Sequence, residues 1–187
     1  MPSVLIPLAE GCEELEAVTL IDLLRRAEIK VVTASLSAQQ QITASRGVRL
    51  VADTTLDDAM HDAFDMLILP GGQPGTDHLN ADPRIHAVIK RLHDNGKWLA
   101  AICAAPLVLA ESGVLDGLRV SSYPGVLSPA DWPALHLSNE AVVCDNTVIT
   151  SRGPGTAMAF ALTIIEKLTD KATRHTVEAG LAATDTN

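Results

Sequence analysis

Cys103 ends an apolar run in the stretch LAAICAAP and is the residue in this sequence best placed to act as a nucleophile. The segment KWLAAIC has the pattern of a β-strand and AAPLVLAESG that of a helix, so the thiol is predicted on the turn between them. Free N–H groups and the positive dipole at a helix N-terminus favour a thiolate over a thiol. The alternative is a cysteine that only fills space, because free cysteine is among the most buried residue types.

Two glycines at another strand end could assist such a nucleophile. In LILPGGQPG an apolar strand leads directly into Gly71 and Gly72, whose backbone amides can approach a ligand without a side chain in the way. These N–H groups could bind an oxyanion, although glycines after a strand are also ordinary turn formers. Because ligands of open α/β sheets bind beyond the carboxyl ends of strands, we expect both glycines at the same edge as Cys103.

The segment AEGCEELEA follows the first predicted strand and places three glutamates at the start of a helix. Glu13 and Glu14 are interpreted as capping and solvated charges, which suit the helix dipole. Glu16 heads a polar stripe on an otherwise apolar helix and is predicted to be partly buried. A buried carboxyl has a raised pKa and can hold a proton, so Glu16 is a candidate proton donor at this sheet edge.

The remaining cysteines and histidines show no second catalytic or metal-binding pattern. Cys12 and Cys144 have neither CxxC nor Cys/His ligand spacing, and both are interpreted as bystanders. None of the six histidines lies next to Cys103 in the sequence, so no Cys-His dyad is visible. The stretch TSRGPGT opens a predicted helix with two glycines, but it matches neither GxGxxG nor the P-loop pattern and is interpreted as structural.

The elements that must position these residues alternate between strand and helix, which predicts an α/β fold. Continuously apolar strands such as VLIPL and MLILP indicate a mostly parallel central sheet covered by helices on both faces. Two short pairs, ITASRGVRLVA and AVVCDNTVIT, are predicted as antiparallel additions at an edge, the second with its turn at Asp145 and Asn146. Further helices are predicted at PRIHAVIKRLHDNG, GPGTAMAFALTIIEKL and KATRHTVEAGLA, and prolines mark a loop over residues 124–133.

The helix of residues 13–26 carries apolar residues over too wide an arc to pack on one sheet face alone. This pattern predicts a second partner surface, such as another subunit. Asp22 and Arg26 are four residues apart and fall in the same narrow polar stripe as Glu16.

Composition limits the classes of protein that fit. The 187 residues, 47% of them hydrophobic, suffice for one domain with a sizeable core, and a single domain over 1–187 is predicted. A formal net charge of -9 argues against a nucleic-acid-binding surface. The longest apolar stretches fall short of the roughly 20 residues that span a bilayer, and no signal peptide is recognised, so we expect a cytoplasmic protein without membrane contact. Three cysteines give no indication of a disulfide framework.

Four motifs, AEGCEELEA, LPGG, AAICAAP and TSRGPGT, resemble in order and spacing those of the ThiJ/PfpI superfamily, especially the branch of the parkinsonism-associated deglycase and YajL. The resemblance covers nearly the whole chain. It implies a flavodoxin-like three-layer α/β sandwich, of the class I glutamine amidotransferase type, with a mostly parallel central sheet. Carried over motif by motif, it implies that Cys103 lies on a nucleophile elbow and that a protonated Glu16 is hydrogen-bonded to its sulfur.

The resemblance also assigns roles to residues around this pair. The backbone amides that face an oxyanion match Gly72 and Ala104, with Gly71 adjoining, and Arg46 of the SRG stretch lies in the family's usual loop at the pocket. Tyr123 stands where some members have a histidine near the cysteine. The peptidase-like branch has histidine at the position of Ala104, which argues against an intracellular protease.

The resemblance implies an enzyme without cofactor or metal that acts on reactive carbonyls, as a glyoxalase on methylglyoxal and as a deglycase on early glycation adducts of proteins or nucleotides. Its expected partners are these small carbonyls or glycated groups and a second copy of the chain, since Asp22 and Arg26 match the family's dimer interface. The alternative is an oxidative-stress sensor and holdase chaperone that uses the same oxidisable cysteine. The sequence does not separate the two, because nucleophilicity and oxidation both follow thiolate character.

Overall fold

The computed structural model describes residues 1–182, and the last five residues of the predicted domain, 183–187, lie outside the described part. Its strands, in chain order, are β1 (Ser3–Leu8), β2 (Lys30–Ser35), β3 (Gln41–Thr43), β4 (Arg49–Val51), β5 (Thr54–Thr55), β6 (Met66–Leu69), β7 (Trp98–Ile102), β8 (Arg119–Val120), β9 (His136–Leu137), β10 (Val142–Asp145) and β11 (Val148–Ser151). Its helices are α1 (Glu14–Arg26), α2 (Leu56–Ala59), α3 (Gly75–Ala81), α4 (Pro83–Asp94), α5 (Pro106–Glu111), α6 (Ala157–Leu168) and α7 (Lys171–Gly180).

A seven-stranded sheet forms the centre of the molecule, in the order β10-β11-β7-β6-β1-β2-β5. All neighbouring strands in it are parallel except β10 and β11. The strands β6 and β11 are buried along their whole length, as expected for strands covered on both faces. Because β1, β6, β7 and β11 lie side by side and run in the same direction, their carboxyl ends meet at one edge of the sheet.

Helices cover both faces of this sheet, which gives the predicted three-layer α/β sandwich. One core cluster packs α1, α6 and α7 on the sheet through residues such as Leu20, Phe160 and Val177. The other packs α2 to α5 on the opposite face, with Val88 and Leu109 among its buried members. No helix within residues 1–182 combines the length and the apolar character needed to cross a bilayer.

Both predicted pairs are antiparallel, and β10 is an edge strand of the central sheet. The structure corrects three local details. The β10–β11 hairpin is part of the central sheet, because β11 pairs with β7, and its two-residue turn is Asn146 and Thr147 instead of Asp145 and Asn146. The β3–β4 hairpin forms a separate two-stranded sheet. The helix after Cys103 begins only at Pro106, in agreement with the preference of proline for the first helical position.

Candidate active site

Cys103 lies on a tight turn directly after β7, and its backbone is held in the left-handed region at φ 64. A non-glycine residue in this region is conformationally unfavourable and persists only where its surroundings fix it. Two hydrogen bonds do so here: the Cys103 N–H donates to the carbonyl of Ser151 at 3.0 Å, and the Cys103 carbonyl accepts from the Tyr123 N–H at 2.7 Å. The turn leaves the side chain 8% exposed, at the floor of a surface cavity.

Glu16 lies in the first turn of α1 and is fully buried beside the Cys103 thiol. Its Oε2 atom accepts a hydrogen bond from the Gly71 N–H at 2.8 Å. Its Oε1 atom is buried without a regular hydrogen-bond partner among residues 1–182. Burial raises the pKa of the carboxyl to about 7, against the opposing effect of the Gly71 and Cys103 hydrogen bonds. The sequence analysis predicted partial burial of Glu16, and the structure buries the side chain fully.

The sequence analysis expected a lowered thiol pKa at Cys103, and the structure gives the opposite direction. Burial and the negative charge of Glu16 raise the pKa of the thiol to about 12, while backbone hydrogen bonds from Gly72 and Ala104 lower it. A carboxylate and a thiolate in contact repel each other, so above about pH 7, where the Glu16 carboxyl titrates, the two groups together keep one proton. A Cys103 thiolate therefore forms there only when Glu16 holds that proton.

The three backbone amides assigned to an oxyanion site have two different roles. The N–H groups of Gly72 and Ala104 face the sulfur. The N–H of Gly71 is already donated to the Glu16 carboxyl, so Gly71 orients the acid and leaves the oxyanion to the other two. A Cβ atom on Gly71 would lie 2.6 Å from Cys103 Cβ and 2.8 Å from the Ile102 carbonyl oxygen, so only glycine fits between the two reactive residues.

The β1–α1 and β6–α3 loops meet directly above this pair. Gly72 has φ 92, and a Cβ atom there would lie 2.4 Å from the backbone nitrogen of Glu13. A Cβ atom on Gly75 would lie 2.6 Å from the backbone nitrogen of Cys12. Cys12 is fully buried, and desolvation and the nearby Glu14 charge raise the pKa of its thiol to about 12. Cys144 lies on the edge strand β10, in the hairpin.

A cavity of about 320 Å³ opens above Cys103. It is lined by Glu13, Ser45, Arg46, Gly72, Gln73, Cys103, Ala104, Tyr123, Val126 and Pro154. Arg46 and Tyr123 therefore lie where the sequence analysis expected pocket residues. Glu13 lines the cavity as well, although the sequence analysis interpreted it as a helix-capping charge, whereas the fully buried Glu16 is not among the lining residues.

The other surface features offer fewer reactive groups than the cavity at Cys103. A larger hollow of about 490 Å³ lies at the opposite end of the strands, next to Lys97 and Trp98, and its lining residues include no cysteine, serine or threonine. Asp22 and Arg26 form an exposed ion pair on α1 at 2.8 Å, far less buried than Glu16 in the same predicted stripe. Within residues 1–182 no three His, Cys, Asp or Glu side chains are grouped to hold a metal ion.

Comparison with known proteins identifies the family that carries this arrangement. The sequence matches the DJ-1/PfpI family over residues 2–167. The chain belongs to the DJ-1/PfpI family. It is 40% identical over 179 residues to protein dj-1beta of Drosophila melanogaster, with 96% of each sequence covered. The crystal structure of Drosophila melanogaster DJ-1beta superposes on it with a TM-score of 0.93 at 38% sequence identity, covering 98% of both chains.

Two further DJ-1/PfpI relatives differ in how much of their length the chain covers. The glutathione-independent glyoxalase DJR-1.2 of Caenorhabditis elegans is 36% identical over 165 residues, which are 88% of this chain and 87% of that protein. Protein DJ-1 homolog B of Arabidopsis thaliana is 40% identical over 167 residues, which are 89% of this chain and 38% of that protein. The resemblance to the ThiJ/PfpI superfamily and the flavodoxin-like α/β fold expected from it are both confirmed.

Proposed function

We propose that the protein is a cysteine-dependent, cofactor-free glyoxalase that converts methylglyoxal-type carbonyls into hydroxy acids. The observation that carries the proposal is the Cys103 and Glu16 pair, which shares one proton at the floor of a cavity sized for a small molecule. The relative from Caenorhabditis elegans named a glutathione-independent glyoxalase supports this choice of chemistry.

The reaction begins at the aldehyde carbon of the substrate. Glu16 holds the shared proton, which leaves Cys103 as a thiolate that adds to the carbonyl. The N–H groups of Gly72 and Ala104 already face the sulfur, so they are in position to stabilise the negative charge that develops on the carbonyl oxygen. Rearrangement of the adduct gives a thioester, and water then releases lactate and restores the shared proton.

The direct test is to incubate purified protein with methylglyoxal and measure lactate. The wild-type protein is expected to form lactate above the blank, and the Cys103→Ala variant is expected to form none. Cys144→Ala is the matched control, because Cys144 is a thiol on the edge strand β10 outside the cavity, and it should retain wild-type activity. Absence of lactate with the wild-type protein would refute the glyoxalase proposal.

We further propose that early glycation adducts of proteins or nucleotides are substrates of the same site. Support for this deglycase activity is the openness of the cavity at Arg46 and Tyr123, both exposed side chains. The assay must monitor the adduct while free methylglyoxal is kept constant, because removal of the free compound alone shifts the adduct equilibrium. Adduct loss at constant free methylglyoxal is the expected result.

A redox sensor and holdase chaperone is the second candidate function. It is favoured by the amide N–H groups of Gly72 and Ala104, which stabilise an anionic sulfur and would equally stabilise a sulfinate. Mass spectrometry after mild peroxide treatment tests it, with Cys103 expected to gain two oxygens before Cys12 or Cys144. The three free thiols also support the proposal that the protein works in a reducing compartment such as the cytoplasm.

A further inference from the structure

Conversion of methylglyoxal into lactate requires a proton carrier that the Cys103 and Glu16 pair does not supply. The hydrogen on the aldehyde carbon must leave, and a hydrogen must arrive on the neighbouring ketone carbon. Glu16 is fully buried, accepts a hydrogen bond from the Gly71 N–H at one carboxyl oxygen, and is not among the residues that line the cavity. A base for a carbon-bound hydrogen must reach the substrate within hydrogen-bond distance.

Among the described residues that line the cavity, Glu13 is the only one with a carboxylate. Glu13 lines the same cavity as Cys103, and its backbone N–H is fixed by a 2.8 Å hydrogen bond to the Gly71 carbonyl. Gly72 packs against the Glu13 backbone so closely that no side chain fits between them. The two loops therefore fix the Glu13 backbone at the wall of the cavity that Cys103 also lines.

The Glu13 carboxylate has lone pairs that no described donor occupies. The single hydroxyl hydrogen of Ser45 lies between two carboxylates, at 3.0 Å from Glu13 Oε2 and 2.9 Å from Glu14 Oε2. Glu14 also accepts from the Arg46 N–H, at 2.9 and 3.2 Å. Glu13 has no other hydrogen-bond donor among residues 1–182, so its remaining lone pairs are available to a molecule in the cavity.

We propose that Glu13 is a catalytic base, and that it carries the hydrogen from the aldehyde carbon to the ketone carbon of an α-oxoaldehyde bound to Cys103. The inference rests on the proposed glyoxalase function. After the sulfur has added, the C1 oxyanion takes a proton from water and becomes a hydroxyl. Glu13 then takes the proton from C1, the C–H electron pair forms the C1–C2 double bond, and the C2 oxygen takes a proton from water, which gives an enediol. Glu13 then returns a proton to C2, while the C1 hydroxyl loses its proton and the C1–O bond becomes the thioester carbonyl.

These reaction steps conserve atoms and electrons without an external oxidant. C1 is oxidised from aldehyde to acid level and C2 is reduced from ketone to alcohol level within one molecule. Water breaks the C1–S bond of the thioester and releases lactate, and the thiol returns to its starting state. Methylglyoxal and one water molecule are the only reactants.

The experiment compares the wild-type protein with Glu13→Gln, Glu13→Asp and Glu14→Gln in the methylglyoxal assay. Glu14→Gln is the matched control, because Glu14 shares the Ser45 hydroxyl but lies outside the cavity lining. We expect kcat of Glu13→Gln to fall by about 10²-fold or more, the usual contribution of a positioned base. Glu13→Asp should recover part of this loss, and Glu14→Gln should stay within roughly threefold of wild type, as expected for a loop contact.

Two readouts separate a catalytic base from a merely structural residue. In Glu13→Gln, iodoacetamide should still alkylate Cys103 at the wild-type rate, and methylglyoxal should still protect the thiol, because addition to sulfur does not need Glu13. In D₂O the wild-type protein should produce lactate with deuterium on C2, because the half-exposed Glu13 exchanges its proton with solvent.

Equal lactate production by Glu13→Gln and Glu14→Gln would overturn the inference. Lactate with only protium on C2 in D₂O, together with a wild-type kcat for Glu13→Gln, would indicate a direct hydride shift and would also overturn it. A wild-type protein that forms no lactate at all refutes the proposed function, and that result is distinguishable because it does not depend on any Glu13 variant.

Discussion

At the scale of single residues, the chemistry of this site follows from where one proton is held. Glu16 is buried and has its pKa raised to about 7, and the adjacent Cys103 thiol has its pKa raised to about 12 as long as Glu16 is charged. Each group therefore loses its proton at a higher pH than it would as a free side chain in water. The useful state is the one in which the carboxyl keeps the proton and the sulfur carries the charge, next to the amides of Gly72 and Ala104.

Glu16 should make the stability of the protein depend on pH. Between about pH 4.5 and 7 the folded protein keeps a proton on Glu16 that the unfolded chain releases, so the free energy of unfolding falls as pH rises. The shift of the Glu16 pKa from 4.5 to about 7 corresponds to a decrease of about 3 kcal/mol in the free energy of unfolding over this pH range. Urea unfolding at pH 4.5 and pH 8 should show that loss in wild type and not in Glu16→Gln. An equal pH dependence of both proteins would contradict the assignment.

At the scale of elements, three strand-to-helix loops build the site. The β1–α1 loop supplies Glu13 and leads to Glu16, the β6–α3 loop supplies Gly71 and Gly72, and the turn after β7 supplies Cys103. Parallel strands bring these loops to one edge, as the rule for open α/β sheets requires. The loops interlock because glycines allow backbone to approach backbone.

Gly71→Ala should disrupt this interlocking. The added methyl group would meet Cys103 Cβ at 2.6 Å and the Ile102 carbonyl oxygen at 2.8 Å, and neither can move without moving the turn. We expect a loss of about 1 to 3 kcal/mol in the free energy of unfolding, together with a large loss of lactate production. Gly155→Ala is the control, because nothing lies within 4 Å of a Cβ atom at that position. Wild-type behaviour of Gly71→Ala would contradict the packing described here.

Part of the site could be predicted from the sequence pattern of these elements. Cys103, Glu16 and Gly72 were identified because each follows a strand whose apolar pattern is strong. Glu13 is the N-cap residue of α1, as the sequence analysis interpreted it, but its side chain makes no capping hydrogen bond and the residue lines the cavity. Sequence spacing could not indicate this, because several acids stand together at the start of the helix. The late start of α5 was missed although Pro106 signals it. The direction of the thiol pKa shift was misjudged because burial of Cys103 and its contact with Glu16 outweigh the effect of a helix that begins three residues later.

At the scale of the whole molecule, α1 presents an apolar outer face as well as a buried one. Leu15 is 51% exposed and Val18 46% exposed, and the neighbouring helix α6 adds Met158 at 56%. The β3–β4 hairpin contributes the exposed Val48 and Val51. Such a set of large apolar side chains is typical of a protein interface, and it agrees with the wide apolar arc predicted for this helix.

We propose that this face forms a homodimer, with the Asp22–Arg26 pair at its border. Analytical ultracentrifugation of the wild-type protein should give twice the chain mass of 19.7 kDa. The double substitution Leu15→Glu with Val18→Glu should give the monomer mass, because two buried charges would lack partners. Leu137→Glu, at a side chain 38% exposed on β9, is the control and should remain dimeric. A monomeric wild-type protein would contradict the proposal.

The most direct test of the account is the rate at which iodoacetamide alkylates Cys103 as a function of pH, in the wild-type protein and in Glu16→Gln. If the pair shares one proton, the wild-type rate rises with a midpoint near pH 7, where Glu16 and Cys103 together lose their first proton. In Glu16→Gln the rise should move to the range of an isolated thiol, at about pH 8.5 or above. Alkylation of both proteins over the same pH range would contradict the central claim that Glu16 controls the charge on Cys103.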